Sequence, residues 1–311
     1  MSSRRIGIVV LSLLALPLAL IVYFWHPEIP VEELKATLGG PPSKFIEVNG
    51  QTIHYRDEGQ GAVLLLLHGT GSNLHTWQGW TDTLQKRYRV IRPDLPAFGL
   101  SGPSPDRDYS MAGYSAFLDG FLDALGVDSC AVAGNSLGGA IAWHYALDRP
   151  DRVRRLVLID ASGFPLNGQP SLGFKMAKTP VVKQLMTRVT PKSLFRKSLL
   201  EVYAEPDLVT DSLVDLYFQS MLRQGNRQAF VDRVNTPSSK RIAELSHLAI
   251  PTLILWGGDD RWIPADHGER FEQAIAGSEL LVYPGVGHLP QEEIAWLSAR
   301  STEGYLCASG W

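Results

Sequence analysis

The sequence predicts an α/β protein: a mainly parallel β-sheet flanked by helices, with an all-helical lid insert and an N-terminal transmembrane helix. Three observations carry this. Strand-like and helix-like patterns alternate from Val63 to Ile159 and again from Thr252 onward, as they do when helices cover both faces of a parallel sheet. Several strand segments, Val63–Leu67 and Thr252–Trp256 among them, are unbroken apolar runs, which suit strands buried on both faces. Between Phe164 and Leu248 the alternation stops and only helical patterns remain.

At the N-terminus, Arg4 and Arg5 precede an uncharged run from Ile6 to Trp25. As a helix this run would rise about 30 Å, the depth of a bilayer core. Tyr23, Phe24 and Trp25 would close it as an aromatic belt, and the arginines would hold the N-terminus in the cytoplasm. Residues 1–25 are therefore expected to be a membrane anchor, with the catalytic domain on the exported side. A cleaved signal peptide is the alternative, although no Ala-x-Ala site precedes Pro27. Residues 26–43, rich in proline and glycine, read as a linker with one short helix near Val31–Leu38.

Residues 44–163 and 249–311 are assigned to the core. Phe45–Val48 and Thr52–Tyr55 flank Asn49-Gly50, the strongest two-residue hairpin signal. The strand Val63–Leu67 runs into His68-Gly69-Thr70-Gly71, then a helix is expected over Leu74–Lys86 and a strand over Arg89–Arg92. Asp94–Ser101 is a loop, in which Asp94 is expected to hold the turn together. A helix over Met111–Leu125 ends at Gly126. Cys130–Ala133, the helix to Leu147 and Arg155–Ile159 complete the first half. In the insert, 164–248, helices are expected over Pro180–Val189, Pro191–Tyr203, Thr210–Arg223 and Gln228–Val234. Its apolar residues, such as Phe174, Met186, Tyr217 and Phe218, are expected mainly as lid core, with a few lining the pocket. A strand over Leu280–Tyr283 and a closing helix over Glu292–Leu306 end the chain.

The composition excludes several functions. A formal charge of −3 over 311 residues gives no reason to expect nucleic acid. Two cysteines make no disulfide framework, and no His or Cys spacing suits a metal.

The chemistry centres on Gly134-Asn135-Ser136-Leu137-Gly138. A serine held in a sharp strand-to-helix turn lifts its hydroxyl above the end of the sheet, with the positive end of the next helix behind it. A Cβ at 134 or 138 would strike the neighbouring strand or helix, which explains the glycines. Such a serine needs a base, and the base an anion behind it. His288, on a glycine-flanked loop after a strand, is the candidate base. Asp260 is ranked first as the acid, since it keeps the chain order Ser, Asp, His; Asp259 and Asp160 are alternatives. The backbone N–H groups of Thr70 and Leu137 are the candidate oxyanion donors.

Taken together, these segments resemble the α/β-hydrolase superfamily, in the branch of capped bacterial esterases and lipases. The matching pieces are His68-Gly69-Thr70-Gly71, Asp94 to Ser101, Gly134 to Gly139, Trp256-Gly257-Gly258-Asp259-Asp260 and Gly287-His288. The family's Trp-Gly-x-x-Asp pattern puts the acid on Asp260. In the Asp94 loop the family usually has glycine where this chain has Ala97. The resemblance implies a cofactor-free serine hydrolase that cleaves a small neutral carboxylic ester through an acyl-serine. A carbon–carbon bond hydrolase of ring-cleavage products is the alternative, though such enzymes usually carry tryptophan where Leu289 follows His288. Epoxide hydrolases and dehalogenases use a carboxylate nucleophile, which Ser136 is not. A non-catalytic binding protein on this fold would commonly lack one of the three residues found here.

Overall fold

The computed structural model describes residues 22–166 and 171–310. Eight strands form one sheet: β1 (Lys44–Val48), β2 (Gln51–Glu58), β3 (Ala62–Leu67), β4 (Tyr88–Pro93), β5 (Cys130–Asn135), β6 (Val153–Ile159), β7 (Thr252–Gly257) and β8 (Glu279–Tyr283). Their order is β1-β2-β4-β3-β5-β6-β7-β8. β2 pairs antiparallel with β1 and with β4, and every pairing from β4 to β8 is parallel.

The apolar runs are read off on both faces. Leu65 and Leu67 of β3 enter a core with Val132, Ile254 and Trp256, packed under the helices Met111–Ala124, Leu137–Asp148 and Asp266–Ala274. Leu64 and Leu66 point the other way, to Trp77, Trp80, Ala299 and Leu306 of the opposite helical layer. Local signals set the element ends. Asn49 and Gly50 both take positive φ in the hairpin turn. Ser110 caps the helix Met111–Ala124 by accepting the Gly113 N–H at 3.0 Å.

In the parallel part the strand ends are in register. Leu67 lies beside Gly134, Asn135 beside Ile159, and Gly257 beside Tyr283. The loops after β3, β5, β6, β7 and β8 therefore share one rim, where open α/β sheets hold their chemistry. Between β6 and β7 the described residues form helices at Leu172–Lys178, Pro180–Met186, Lys192–Val202, Asp211–Leu222 and Asn226–Asn235, with no strand. They make a cap over this rim.

The expected transmembrane helix is not supported. Residues 1–21 of that segment lie outside the described residues, and among the described residues no helix is long and apolar enough to cross a membrane. The end of the segment does not form the expected belt. The Thr190 N–H donates to the Phe24 carbonyl at 3.2 Å, and Trp25 pairs with Val189 of the cap. The expectation of a membrane-anchored, exported catalytic domain falls with the helix on which it was built.

The stretch read as a linker is docked as well. Ile29 exchanges backbone bonds with the cap, its N–H to Leu222 O at 2.8 Å and its carbonyl from Gln224 N at 2.9 Å. Leu34, on the helix Val31–Leu38, is buried. Hydropathy and proline content describe a segment's solvent preference, and neither registers backbone pairing to residues far along the chain.

Candidate active site

Ser136 sits between β5 and the helix Leu137–Asp148 at φ 54° and ψ −112°, a strained conformation for a residue with a side chain. The glycines make room for it. A Cβ on Gly134 would strike the Gly138 carbonyl, and one on Gly138 would strike the Leu67 carbonyl of β3. Gly69 is also close, since a Cβ there would lie 3.3 Å from the Ser136 Cβ. The loop after β3 thus runs directly past the serine. Leu137 opens the following helix, where the first N–H groups have no partner within the helix. Thr70 lines the same cavity as Ser136.

Asp260 and His288 are in contact. His288 Nδ1 lies 2.6 Å from Asp260 Oδ2, and both side chains are buried. The other Asp260 oxygen accepts the N–H groups of Trp262 at 2.7 Å and Ile263 at 3.0 Å. Burial pushes the Asp260 carboxyl up, but the attraction and hydrogen bond of His288 and these two N–H groups outweigh it and hold the group below its usual range. Asp260 is therefore an anion placed behind the imidazole. The His288 Nε2 atom has no hydrogen-bond partner among the described residues. Ser136 and His288 line one cavity but are not hydrogen-bonded, an arrangement common before substrate enters.

The alternative acids do not take this place behind the imidazole. Asp259 is exposed. Asp160, at the end of β6 with φ 44°, is fully buried and accepts the Gly257 N–H at 2.9 Å. It belongs to the Asp160, Asp260 and His288 cluster, yet burial and the Asp260 charge push its carboxyl well up, whereas Asp260 is held down.

Some contacts had no sequence signal. Asn135 donates to the His288 carbonyl at 3.0 Å and so ties the elbow to the histidine loop. The His288 N–H donates to Val202 O of the cap at 2.7 Å. Glu293 accepts the Gly287 N–H and the Ala204 N–H, each at 2.8 Å. Apart from the Gly287–Glu293 contact, these link residues 86 to 153 positions apart, and only the folded chain reveals them. Asp94 does hold its loop, accepting from Leu74 N, Leu100 N and His54 Nδ1.

The cavity has a volume of about 130 Å³ and opens to solvent. Its cap wall is richer in the insert's large side chains than expected: Phe174, Met186, Phe195, Tyr217 and Met221 all line it, while Phe218 packs against Phe195 and His26. Arg227 is the one lysine or arginine among the lining residues.

Residues 62–294 match the family described as "alpha/beta hydrolase fold". The chain belongs to the α/β-hydrolase family. This α/β hydrolase is 33% identical over 270 residues to the 2-hydroxymuconate semialdehyde hydrolase of Pseudomonas putida, covering 83% of this chain and 91% of that protein. Among solved structures, the meta-cleavage product hydrolase of Pseudomonas fluorescens superposes with a TM-score of 0.75 at 26% identity, over 86% of this chain and 98% of that one. A bacterial membrane phospholipase A gives 0.73 at 26% identity and covers 99% of each chain. The relatives thus shift weight from the ester reading toward the carbon–carbon alternative.

Proposed function

We propose that this α/β hydrolase cleaves the carbon–carbon bond beside a ketone in a ring-cleavage product, through an acyl-serine. The observation that carries the reading is the hydrogen-bonded Asp260–His288 pair on the wall of the cavity that Ser136 also lines. Ser136 Oγ attacks the ketone carbonyl while His288 Nε2 takes its proton. The Asp260 carboxylate holds the ring and stabilises the cation. The N–H groups of Thr70 and Leu137 donate to the oxyanion. For this bond to break, the dienol first shifts its hydroxyl proton to the carbon beside the attacked ketone, giving a carbonyl conjugated with the remaining double bond. The carbon–carbon bond of the serine adduct then breaks, its electron pair passing into that conjugated carbonyl as a dienolate, which the His288 proton finally caps. Water activated by His288 releases the acid and restores Ser136. The similarity to the 2-hydroxymuconate semialdehyde and meta-cleavage product hydrolases supports the substrate class. Arg227 in the lining suits an acidic substrate.

A second reading, a carboxylic ester, uses the same three residues and is favoured by Leu289, which lines the cavity where tryptophan usually follows the histidine of carbon–carbon hydrolases. The likeness to the membrane phospholipase A favours it too. The test is turnover of 2-hydroxy-6-oxohepta-2,4-dienoate beside a p-nitrophenyl ester series. Ser136→Ala is expected to lower kcat/KM by at least about 10⁴-fold on the true substrate with the fold intact. Unchanged turnover removes Ser136 from the mechanism, and ester turnover alone selects the second reading.

A further inference from the structure

The loop that carries His288 is fastened to the cap as well as to the core. Two tethers of His288 come from the core: its Nδ1 meets Asp260, and its carbonyl accepts from Asn135, the residue before Ser136. A third comes from the cap, where Val202 O accepts the His288 backbone N–H at 2.7 Å. Val202 ends the helix Lys192–Val202, and the last carbonyls of a helix have no partner within it. Phe195, Leu199 and Val202 of this helix line the cavity. The helix thus faces the cavity along its length and holds the His288 peptide at its end.

Glu293 closes the seam beside that bond. One of its oxygens accepts the Gly287 N–H and the other the Ala204 N–H, each at 2.8 Å, so a single carboxyl spans the histidine loop and the cap. Gly287 shows how closely the two run. A Cβ there would lie 2.4 Å from Val202 O and 2.7 Å from Ala204 N. Gly287 is not among the positive-φ glycines, so the approach of the cap, and not the backbone conformation, requires it.

We propose that the cap positions His288: the Val202 carbonyl, clasped to the histidine loop by Glu293, sets the reach of the imidazole toward Ser136. Proton transfer then depends on how the cap is seated, and Glu293 and Gly287 are positioning residues. This rests on the reading of His288 as the base that serves Ser136.

The experiment follows inactivation of the full chain by phenylmethylsulfonyl fluoride, which requires no natural substrate. The Ser136 Oγ–S bond forms, the S–F bond breaks, fluoride leaves, and His288 takes the hydroxyl proton. The maximal rate reports the base, and the half-saturating concentration reports the cavity. Glu293→Ala removes the clasp. Gly287→Ala drives the loop and Val202 O apart by about 1 Å to reach an ordinary carbon–oxygen contact. Each is expected to lower the maximal rate by about 10- to 100-fold, the scale of a misplacement of that size, with the half-saturating concentration within about threefold. Gly285→Ala is the control. On the same loop, with φ 74° and nothing within 4 Å of its Cβ, it strains the backbone without touching the cap and keeps the maximal rate within about twofold.

Wild-type maximal rates in Glu293→Ala and Gly287→Ala overturn the proposal, and so does an equal loss in Gly285→Ala and Gly287→Ala. A rise in half-saturating concentration alone overturns it too, since that is a loosened cap without a displaced base. Should Gly287→Ala not fold, Glu293→Ala decides. His288→Ala tells the two readings apart. If it is inactivated as fast as the wild type, the assignment of the base fails and the coupling with it. If it is inert while Glu293→Ala keeps the wild-type rate, only the coupling fails.

Discussion

Two acids brace the loop that runs past Ser136, and their surroundings shift them in opposite directions. Asp94, sealed in the core, accepts the Leu74 N–H at 2.8 Å, the Leu100 N–H at 2.7 Å and the His54 ring at 2.7 Å. Glu292, partly buried at the seam between core and cap, accepts the hydroxyls of Thr76, Tyr203 and Tyr217. Burial pushes both carboxyls up. At Asp94 the attraction of His54, its hydrogen bond, the nearby His68 and the Leu74 N–H outweigh burial and hold the group at about 2. At Glu292 the three hydroxyls do not outweigh burial, and the group stays above its ordinary value. Desolvation alone therefore does not fix the charge of an interior acid. The donors around it decide, and an imidazole with backbone N–H groups outweighs neutral hydroxyls.

Removing Asp94 is the most severe way to break this comparison. Asp94→Ala leaves two backbone N–H groups and an imidazole without their acceptor, and is expected to cost about 3–5 kcal/mol of stability. Denaturant unfolding checks this. A loss below about 1 kcal/mol would mean that the loop is held by its packing and not by the acid.

The pH dependence separates the two acids by sign. Asp94 has a folded pKa of about 2 against an ordinary 3.8, so its stabilisation is fully present above 3.8 and is lost as pH falls toward 2. Glu292 has a folded pKa above its ordinary 4.5, so the folded state binds the proton more tightly. Its contribution is largest below 4.5 and declines as pH rises through the raised folded value. Melting temperatures of the wild type, Asp94→Asn and Glu292→Gln across pH 2–8 test both signs. Asp94→Asn should lose most, relative to wild type, above pH 4, whereas Glu292→Gln should gain on wild type as pH rises. The Gln variant is expected to cost about 1–3 kcal/mol near its worst. Parallel curves for all three proteins would remove the electrostatic distinction.

The same pair shows what could be read from the chain. The bracing role of Asp94 was legible because it follows a strand and sits in a short Pro-, Gly- and Ser-rich turn, so its partners are mostly near in sequence or in the adjacent strand. The strand order was legible because β3 and β7 are buried on both faces and spell unbroken apolar runs. The strand-end positions of Ser136, Asp260 and His288 were legible from the same punctuation, and their roles remain the proposal above. Glu292 was not legible, since Thr76 and Tyr217 lie 216 and 75 residues away. Nor was the cap wall. An amphipathic helix announces one buried face, but burial against a neighbour and burial against a substrate cavity have the same periodicity. Phe195 and Phe218 share that signal, yet only Phe195 lines the cavity. The described end of the run Ile6–Trp25 departs from the expectation because hydropathy does not register that Trp25 pairs with Val189.

The mildest prediction concerns the turn that lets Asp94 reach Leu100. Ala97 takes φ 89°, where the family usually has glycine, and the turn is closed by Ala97 N to Gly102 O at 2.7 Å and Gly102 N to Phe98 O at 3.0 Å. A side chain in this region costs about 1–2 kcal/mol. Its methyl is fully buried in the main core, which returns about 0.8 kcal/mol, and glycine would add freedom to the unfolded chain worth about 0.5–1 kcal/mol. These effects nearly cancel, so Ala97→Gly is expected to change stability by no more than about 1 kcal/mol in either direction. The turn then persists because Asp94 and the two backbone bonds hold it, whatever residue 97 prefers. If Ala97→Gly instead cost more than about 2 kcal/mol, the buried methyl would be the chief support of the loop, and the acid would owe its position to the turn instead of creating it.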